Sequence, residues 1–408
     1  MTSRLLELLD LALRWVHVIA GIMWIGNSLL FNWLDRNLRP PRSGAPDAQG
    51  DIWLIHSGGF YLVEKTSLAG RPLPVPLHWF KWQAYTTWLT GAALLIVVYY
   101  AGGRALLANP VRGPLEPGLG HGSAVGVAVG SLIGGWLLYD TLWRYVAPRA
   151  LTIATVLSLV GLVSITITLT TLLTGRAAFL HVGAMLGTIM AANVWSVIMP
   201  SQSVLVAAVR DGRTPDASVA AAAKTRSIHN NYFAFPVIAL MVSSHFASLY
   251  GHRWSWLILL VLIASGAAVR HIMNVRFTYR PWIPALAGAI SASAIVLYLL
   301  VALGNPRGHA AAAVSATAVR PVVYFPNVRS IVDRRCAVCH SRQPSDASFG
   351  VAPGGVTFDT PVEMAAQATR IRERAVVTKT MPPGNKTNIS EAERSVLADW
   401  VAAGAPIR

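Results

Sequence analysis

Of the 408 residues, 54% are hydrophobic and only 13% charged, which excludes an ordinary soluble domain and puts most of the chain in a lipid environment. A net charge of +16 suggests nucleic acid when a protein is soluble. Here the basic residues fall between apolar stretches, where they set topology and meet anionic lipid, so no nucleic-acid partner is expected.

Eight apolar spans of roughly 20 residues are each long enough to cross the hydrocarbon core. They lie near residues 11–33, 79–100, 121–143, 151–173, 178–199, 231–250, 254–269 and 282–303. The first is not a cleavable signal, because Asn32, Asp35 and Arg36 follow it instead of a small-residue cleavage site. The odd-numbered connections carry Arg36, Arg39, Arg42, Lys65, Arg71, Arg144, Arg149, Arg210, Arg213, Lys224, Arg226, Arg270, Arg276 and Arg280. The even ones carry only Arg104, Arg112, Arg176 and Arg253. The positive-inside rule therefore predicts odd loops in the cytoplasm and both termini outside.

The connection over residues 34–78 is the one long cytoplasmic loop. Its core, Trp53 to Lys65, is too apolar for a solvated loop. It predicts a short amphipathic element folded back on the cytoplasmic face as a lid, carrying His56, Tyr61, Glu64 and Lys65.

Histidines within spans are costly and usually functional. On this topology His17, His181 and His245 form an outer tier, and His78, His229 and His271 an inner one. The functional reading gives one or two b-type haems between helices, with His17, His181 and His245 as candidate ligands. The structural reading has the same rings hydrogen-bonded inside the bundle or at the headgroup boundary.

A second constellation reads as a substrate pocket. Ser227-Ile228-His229-Asn230-Asn231-Tyr232 opens the sixth span, and Pro236 frees the Tyr232 carbonyl one turn later. Asn193 and Gln202 lie at the same depth at the end of the fifth span, and Asp140 ends the third. Asn193, Gln202, Asn230, Asn231 and, from the lid, Tyr61 would suit a flat polar heterocycle. The alternative is that the amides hold helices together and the charges snorkel.

Residues 304–323 have no periodic pattern and read as a tether. Beyond it, Cys336-Ala337-Val338-Cys339-His340 has the spacing of a c-type haem attachment site, where two thiols add to the haem vinyl groups and the imidazole ligates iron. These are the only cysteines, so no thiol remains for a disulfide, a zinc site or a nucleophile. Met381-Pro382-Pro383 supplies the second axial ligand; Met364, the only other methionine after the motif, lies in an Ala-rich helical run. Ser390-Glu391-Ala392-Glu393 is a capping box that opens a terminal helix with Val396, Leu397 and Trp400 on one face. Residues 324–408 thus resemble a class I cytochrome c. Covalent haem attachment in bacteria needs the oxidising, non-cytoplasmic side, in agreement with the charge rule. The predicted fold is all-α: a polytopic eight-helix transmembrane bundle over 1–303, a linker over 304–323, and a cytochrome c domain over 324–408.

The run Leu13-Arg14-Trp15-Val16-His17-Val18-Ile19-Ala20-Gly21-Ile22-Met23-Trp24-Ile25-Gly26, the segments His56-Ser57-Gly58-Gly59-Phe60-Tyr61 and His78-Trp79-Phe80-Lys81-Trp82-Gln83-Ala84-Tyr85, and the stretch from Asn193 to Gln202 carry a family likeness. Together with the C-terminal motif they resemble the bacterial membrane-bound urate oxidases of the PuuD type, an eight-span domain fused to a cytochrome c. Ser57 stands where that family is expected to have the first of three glycines. The resemblance implies an inner-membrane enzyme that oxidises urate to 5-hydroxyisourate in purine catabolism. Its electrons would pass through haem c to the respiratory chain, by way of a soluble cytochrome c or a terminal oxidase. Cys336 and Cys339 would form the thioether bonds, and His340 and Met381 would ligate the iron. A general base is then required, with His229 and Glu64 as candidates. The first span also resembles the protoporphyrinogen oxidases of the HemJ type, which keeps open oxidation of another reduced metabolite. A tethered relay cytochrome without substrate chemistry is the non-enzymatic alternative.

Overall fold

The computed structural model describes residues 3–42, 44, 47–68, 72–101, 104–108, 111–113, 116–117, 119–214, 216–303, 324–346, 349 and 352–407. The tether expected at 304–323 lies outside the described residues. Helix α1 (Ser3–Asn37) is followed by strands β1 (Ala48–His56) and β2 (Gly59–Thr66), then by α2 (Trp82–Leu95), which runs on as a π-helical stretch, Ile96–Tyr100. Short elements α3 (Arg104–Leu107), β3 (Val111–Gly113) and β4 (Glu116–Pro117) lead to α4 (His121–Thr141) and α5 (Leu151–Leu172). Next come α6 (Gly175–Asn193), α7 (Met199–Arg210), α8 (Ala217–Ser243), α9 (Ala247–Tyr250), α10 (Ser255–Val275) and α11 (Trp282–Leu303).

Among the described residues, six stretches are long and apolar enough to cross a membrane: Leu8–Asn37, His121–Val146, Leu151–Leu172, Gly175–Arg210, Ser255–Val275 and Trp282–Leu303. These six fall on expected spans one, three, four, five, seven and eight; the second and sixth lie on two helices of lower hydropathy, α2 and α8. The reason is polar content: Gln83, Thr86, Thr87 and Thr90 on α2, and Ser227, His229, Asn230 and Asn231 on α8. Both are packed into the bundle, α2 against α1 and α8 between α6 and α10. The helix through α6 and α7 is the axis, with 56% of its apolar window buried inside the protein, whereas the window of α11 has 0% and is left to lipid.

Two prolines shape this interior. The fifth span, expected to stop at 199, continues through a π-helical turn, Val194–Ile198, into α7. That turn absorbs the register where Pro200 has no N–H to donate. α8 likewise starts well before residue 231 and passes through Pro236 without breaking. Gly266 of α10 faces this kink, and a Cβ there would meet the Pro236 nitrogen at 2.7 Å, so the close crossing of α8 and α10 requires glycine.

The long loop is also a correction to the all-α expectation. Aromatic and β-branched residues on both sides of Ser57-Gly58 pair as an antiparallel hairpin, with Trp53 opposite Leu62 and His56 opposite Gly59. Ser57 and Gly58 both have positive φ, 49° and 79°, as a type I′ turn demands. The hairpin is tied to the end of α1 by Lys65 and Asp35 at 2.7 Å, and its Trp53, Ile55, Phe60 and Tyr61 are exposed.

Residues after 323 form their own helical unit: α12 (Phe325–Arg335), α13 (Pro361–Ala366), α14 (Ala368–Ile371), a π-helical stretch (Arg372–Val377) and α15 (Glu391–Ala402). The capping box at α15 is formed, with the Ser390 hydroxyl accepting from the Glu393 N–H and the Glu393 carboxylate accepting from the Ser390 N–H. Phe325, Val328, Ile331, Phe358, Met364, Leu397 and Trp400 make a core separate from that of the bundle. Where the two units meet, Arg374 donates to the Tyr250 hydroxyl at 3.1 Å.

Candidate functional site

The polar interior is built where α8 passes between α6 and α10. Positions 226, 229 and 230 share one helical face, spaced three and four apart, and this face meets α4 and α6. The Asn230 amide nitrogen donates to the Met190 carbonyl at 2.9 Å. Since that carbonyl can only accept, Asn230 Oδ1 must face Asn193, whose Nδ2 donates to it at 2.9 Å. The same Nδ2 donates to the Tyr139 hydroxyl at 3.1 Å, so the phenolic proton is free to go to His229 Nδ1, 2.7 Å away. His229 is thereby held as the Nε2–H tautomer, its ring edge-on to Trp143 with centroids 4.1 Å apart. One backbone carbonyl fixes the polarity of a four-residue relay.

One turn earlier on α8, Arg226 is buried at 4% exposure. Its Nη2 donates to Asp140 Oδ1 at 2.9 Å, and its guanidinium lies 4.8 Å from the Tyr139 ring centre. Asp140 also accepts from Arg144 Nε at 3.0 Å. Arg226 Nη1 is buried and has no partner among the described residues. A cavity of 480 Å³ opens here, walled by Trp143, Arg144, Ser196, Pro200, Ser201, Thr225 and Arg226 among others.

The opposite face of α8 carries a different cluster. Asn231 Oδ1 accepts from Arg270 Nε at 2.9 Å and from Asn274 Nδ2 at 2.8 Å, next to the Pro236–Gly266 crossing. Tyr232 and His271 are joined at 2.8 Å on the outer side of the same pair of helices. Asn230 and Asn231, adjacent in sequence, therefore serve different helix contacts.

Of the residues singled out from sequence, His229, Asn193 and Asn230 come together. Gln202 is exposed on α7, and Tyr61 and Glu64 are exposed on the hairpin. His17 Nδ1 bonds the Thr87 carbonyl at 2.9 Å and its ring lies against Gly91, where a Cβ would come within 2.9 Å. His181 is fully buried, its Nδ1 bonded to the Ala177 carbonyl at 2.7 Å and its Nε2 3.2 Å from the Tyr100 hydroxyl. The contacts of these two rings along the second span, Gly91 and Tyr100, are nine residues apart, about 13 Å of helix. His245 is exposed just past the end of α8. The three outer histidines are not gathered at one point. Tyr139, Trp143 and Arg226 are the residues that sequence reasoning missed; Arg226 reads there only as a topology charge, and its i, i+3 spacing to His229 is the signal that could have found it.

In the C-terminal unit, His340 Nδ1 donates to the Val356 carbonyl at 3.0 Å, which leaves Nε2 with its lone pair free. The loop of Met381 is pinned by its N–H to the Arg374 carbonyl at 2.9 Å and by Arg394, which donates to the Met381 carbonyl at 3.1 Å. Met364 is fully buried in the core. Both cysteines are free thiols; burial pushes Cys336 up to about 12, and burial with the Asp346 carboxylate raises Cys339. Among the described residues no three His, Cys, Asp or Glu side chains converge as a metal site.

No curated protein matches the chain, and no solved structure does. The family described as Urate oxidase N-terminal matches residues 3–302, nearly all of the bundle and its hairpin. By that match the chain belongs to the urate oxidase N-terminal family, a urate-related oxidase built on helices able to span a membrane.

Proposed function

We propose that the protein is a membrane-bound oxidase that converts urate to 5-hydroxyisourate and passes the electrons to a covalently attached haem c in its C-terminal unit. The observation that carries this reading is the His340 ring. Its Nδ1–H is committed to the Val356 carbonyl beside two free thiols, the arrangement that orients an imidazole for iron through Nε2. The donor set fits haem c. Cys336 and Cys339 stand three residues apart with His340 directly after them, the spacing of a haem c attachment site. Cys336 and Cys339 would hold the group, His340 and Met381 would ligate it, and it would supply an acceptor for single electrons. The excess of arginines in odd-numbered connections favours an inner-membrane location with this unit on the periplasmic side. A respiratory-chain acceptor would receive the electrons there.

The reaction takes the urate monoanion and one water to neutral 5-hydroxyisourate, one proton and two electrons. A C–O bond forms at the ring carbon and an O–H bond of water breaks. The chain must therefore bind a flat anion, shield it from bulk solvent and receive one proton. Tyr139 and His229 suit the last of these roles. Tyr139 can take a proton as it gives its own to His229 Nδ1, while Asn193 holds the phenol in line. Glu64, on the exposed hairpin, has no part in this relay. The Arg374 contact to Tyr250, beside the backbone that carries Met381, supports a route from bundle to haem.

The test is anaerobic addition of urate to the purified protein, followed in the visible spectrum. Reduction of the c-type band without peroxide release is expected. A band that responds to dithionite but not to urate would remove the oxidase reading.

A further inference from the structure

Charge in the cavity beside α8 does not balance. Arg144 and Arg226 both line it and share the single carboxylate of Asp140, with contacts of 3.0 Å and 2.9 Å. Among the described residues no other carboxylate makes an ion pair with either arginine, so the wall carries one net positive charge. Arg144 is 42% exposed and solvated, so the buried cation of the wall is Arg226, whose one carboxylate is shared. Arg226 also carries a donor, Nη1, that is closed off from solvent and that no protein group among the described residues satisfies.

The rest of the wall adds shape and acceptors. The hydroxyls of Ser196 and Thr225 spend their protons on the helix carbonyls of Ala192 and Ala221, at 2.6 Å and 3.0 Å, so their oxygens offer lone pairs. Trp143 provides a flat face and touches His229 with its ring. A volume of 480 Å³ is within the range of small-molecule sites.

We propose that this cavity binds urate as its monoanion, with the Arg226 guanidinium reading the negative charge, the Ser196 and Thr225 oxygens accepting ring N–H groups, and Trp143 supporting the ring. The assignment rests on the urate-oxidase reading and adds the binding group and the site to it. It also sets the end from which substrate enters, the end of the bundle where α4 and α8 carry their arginines. Ligand binding would place a second negative charge beside the two arginines. Arg270 is the internal comparison, since it is equally buried and basic but is engaged with Asn231 at the α8–α10 crossing.

The experiment is steady-state urate oxidation by the full-length haem-loaded protein in detergent or nanodiscs. Wild type is compared with Arg226→Gln, Arg226→Lys and Arg270→Gln, with hypoxanthine, neutral at the same pH, as competitor. Loss of a charged hydrogen bond predicts a urate KM raised about 10- to 100-fold in Arg226→Gln. Arg226→Lys should lie between it and wild type, because the charge is kept. Hypoxanthine inhibition should move less than about 3-fold across the series, a scale well below that of one charged hydrogen bond. An unmoved urate KM in Arg226→Gln, or a rise confined to Arg270→Gln, overturns the assignment while leaving the oxidase reading intact. If Arg226→Gln does not fold, a urate KM in Arg226→Lys equal to that of wild type, with hypoxanthine competing as tightly as urate binds, overturns it as well. Absence of urate turnover in wild type removes both readings.

Discussion

Arg226 and Arg270 are buried to nearly the same degree, at 4% and 3% exposure, on opposite sides of one helix contact, yet they occupy different kinds of surroundings. Arg226 shares a carboxylate with a second arginine, keeps one donor unsatisfied and walls a cavity. Arg270 has no carboxylate within ion-pair reach among the described residues; its Nε goes to Asn231 and its guanidinium lies 5.5 Å from the Phe235 ring centre. Burial of a cation is therefore not by itself the mark of a site. What separates the two is which donors are left over and whether the residue walls a cavity. A buried arginine that braces a helix crossing gives its hydrogen bonds to that crossing, and the amide it meets becomes structural with it.

The comparison can be broken most forcefully at the relay beside Arg226. Tyr139→Phe removes the hydroxyl between Asn193 and His229 without changing the ring, so kcat should fall about 10²- to 10³-fold while urate KM stays nearly constant. His229→Gln should lose a similar factor if the two groups act as one unit. A drop in KM-dependent terms alone, measured by steady-state kinetics, would instead make Tyr139 part of the binding wall.

A smaller effect is expected on the Arg270 side. Asn231→Leu leaves two buried donors, Arg270 Nε and Asn274 Nδ2, without their acceptor. The bundle should lose about 1–3 kcal/mol in denaturant titration, with urate KM unmoved. A rise in KM without loss of stability would transfer Asn231 to the substrate side and erase the distinction between the two faces.

The smallest effect belongs to a charge outside the bundle, which serves as the control for both. Asp359 accepts from the Ser341 hydroxyl and the Arg342 N–H, which hold its carboxyl below its ordinary value. Its folded pKa being lowered, it contributes stability above the ordinary carboxylate range, and this is lost as pH falls through the lowered value. Thermal melts of the C-terminal unit should therefore decline less steeply on acidification in Asp359→Asn than in wild type. Urate kinetics at neutral pH should be the same in the two proteins.

Much of the architecture was legible because lipid imposes simple demands on a chain. Length and hydropathy marked the crossings, and the two helices that fall below that mark, α2 and α8, are the ones carrying polar groups inward: Thr87 and Thr90 to His17, Asn230 to α6. Local chemistry was legible for the same kind of reason. The Ser390 capping box and the Cys336 to His340 motif depend on neighbours in sequence alone. The hairpin was harder to read because apolar content by itself suits an amphipathic helix as well as a strand, and the alternation around Ser57-Gly58 is the signal that separates them.

The pairing of side chains across helices was not legible. α4 and α5 are apolar around most of their circumference, so periodicity does not tell which face looks inward. Nothing in the order of residues says that Tyr139 and Asp140 meet Arg226 and His229 while Asn231 turns to Arg270. By itself the sequence determined the membrane-spanning character, the thiol and imidazole spacing of the C-terminal unit, and the inventory of polar groups. Only the tertiary structure decided which of those groups share a cavity, because that depends on helix rotation and on close crossings such as Pro236 against Gly266, where backbone contact outweighs any local preference.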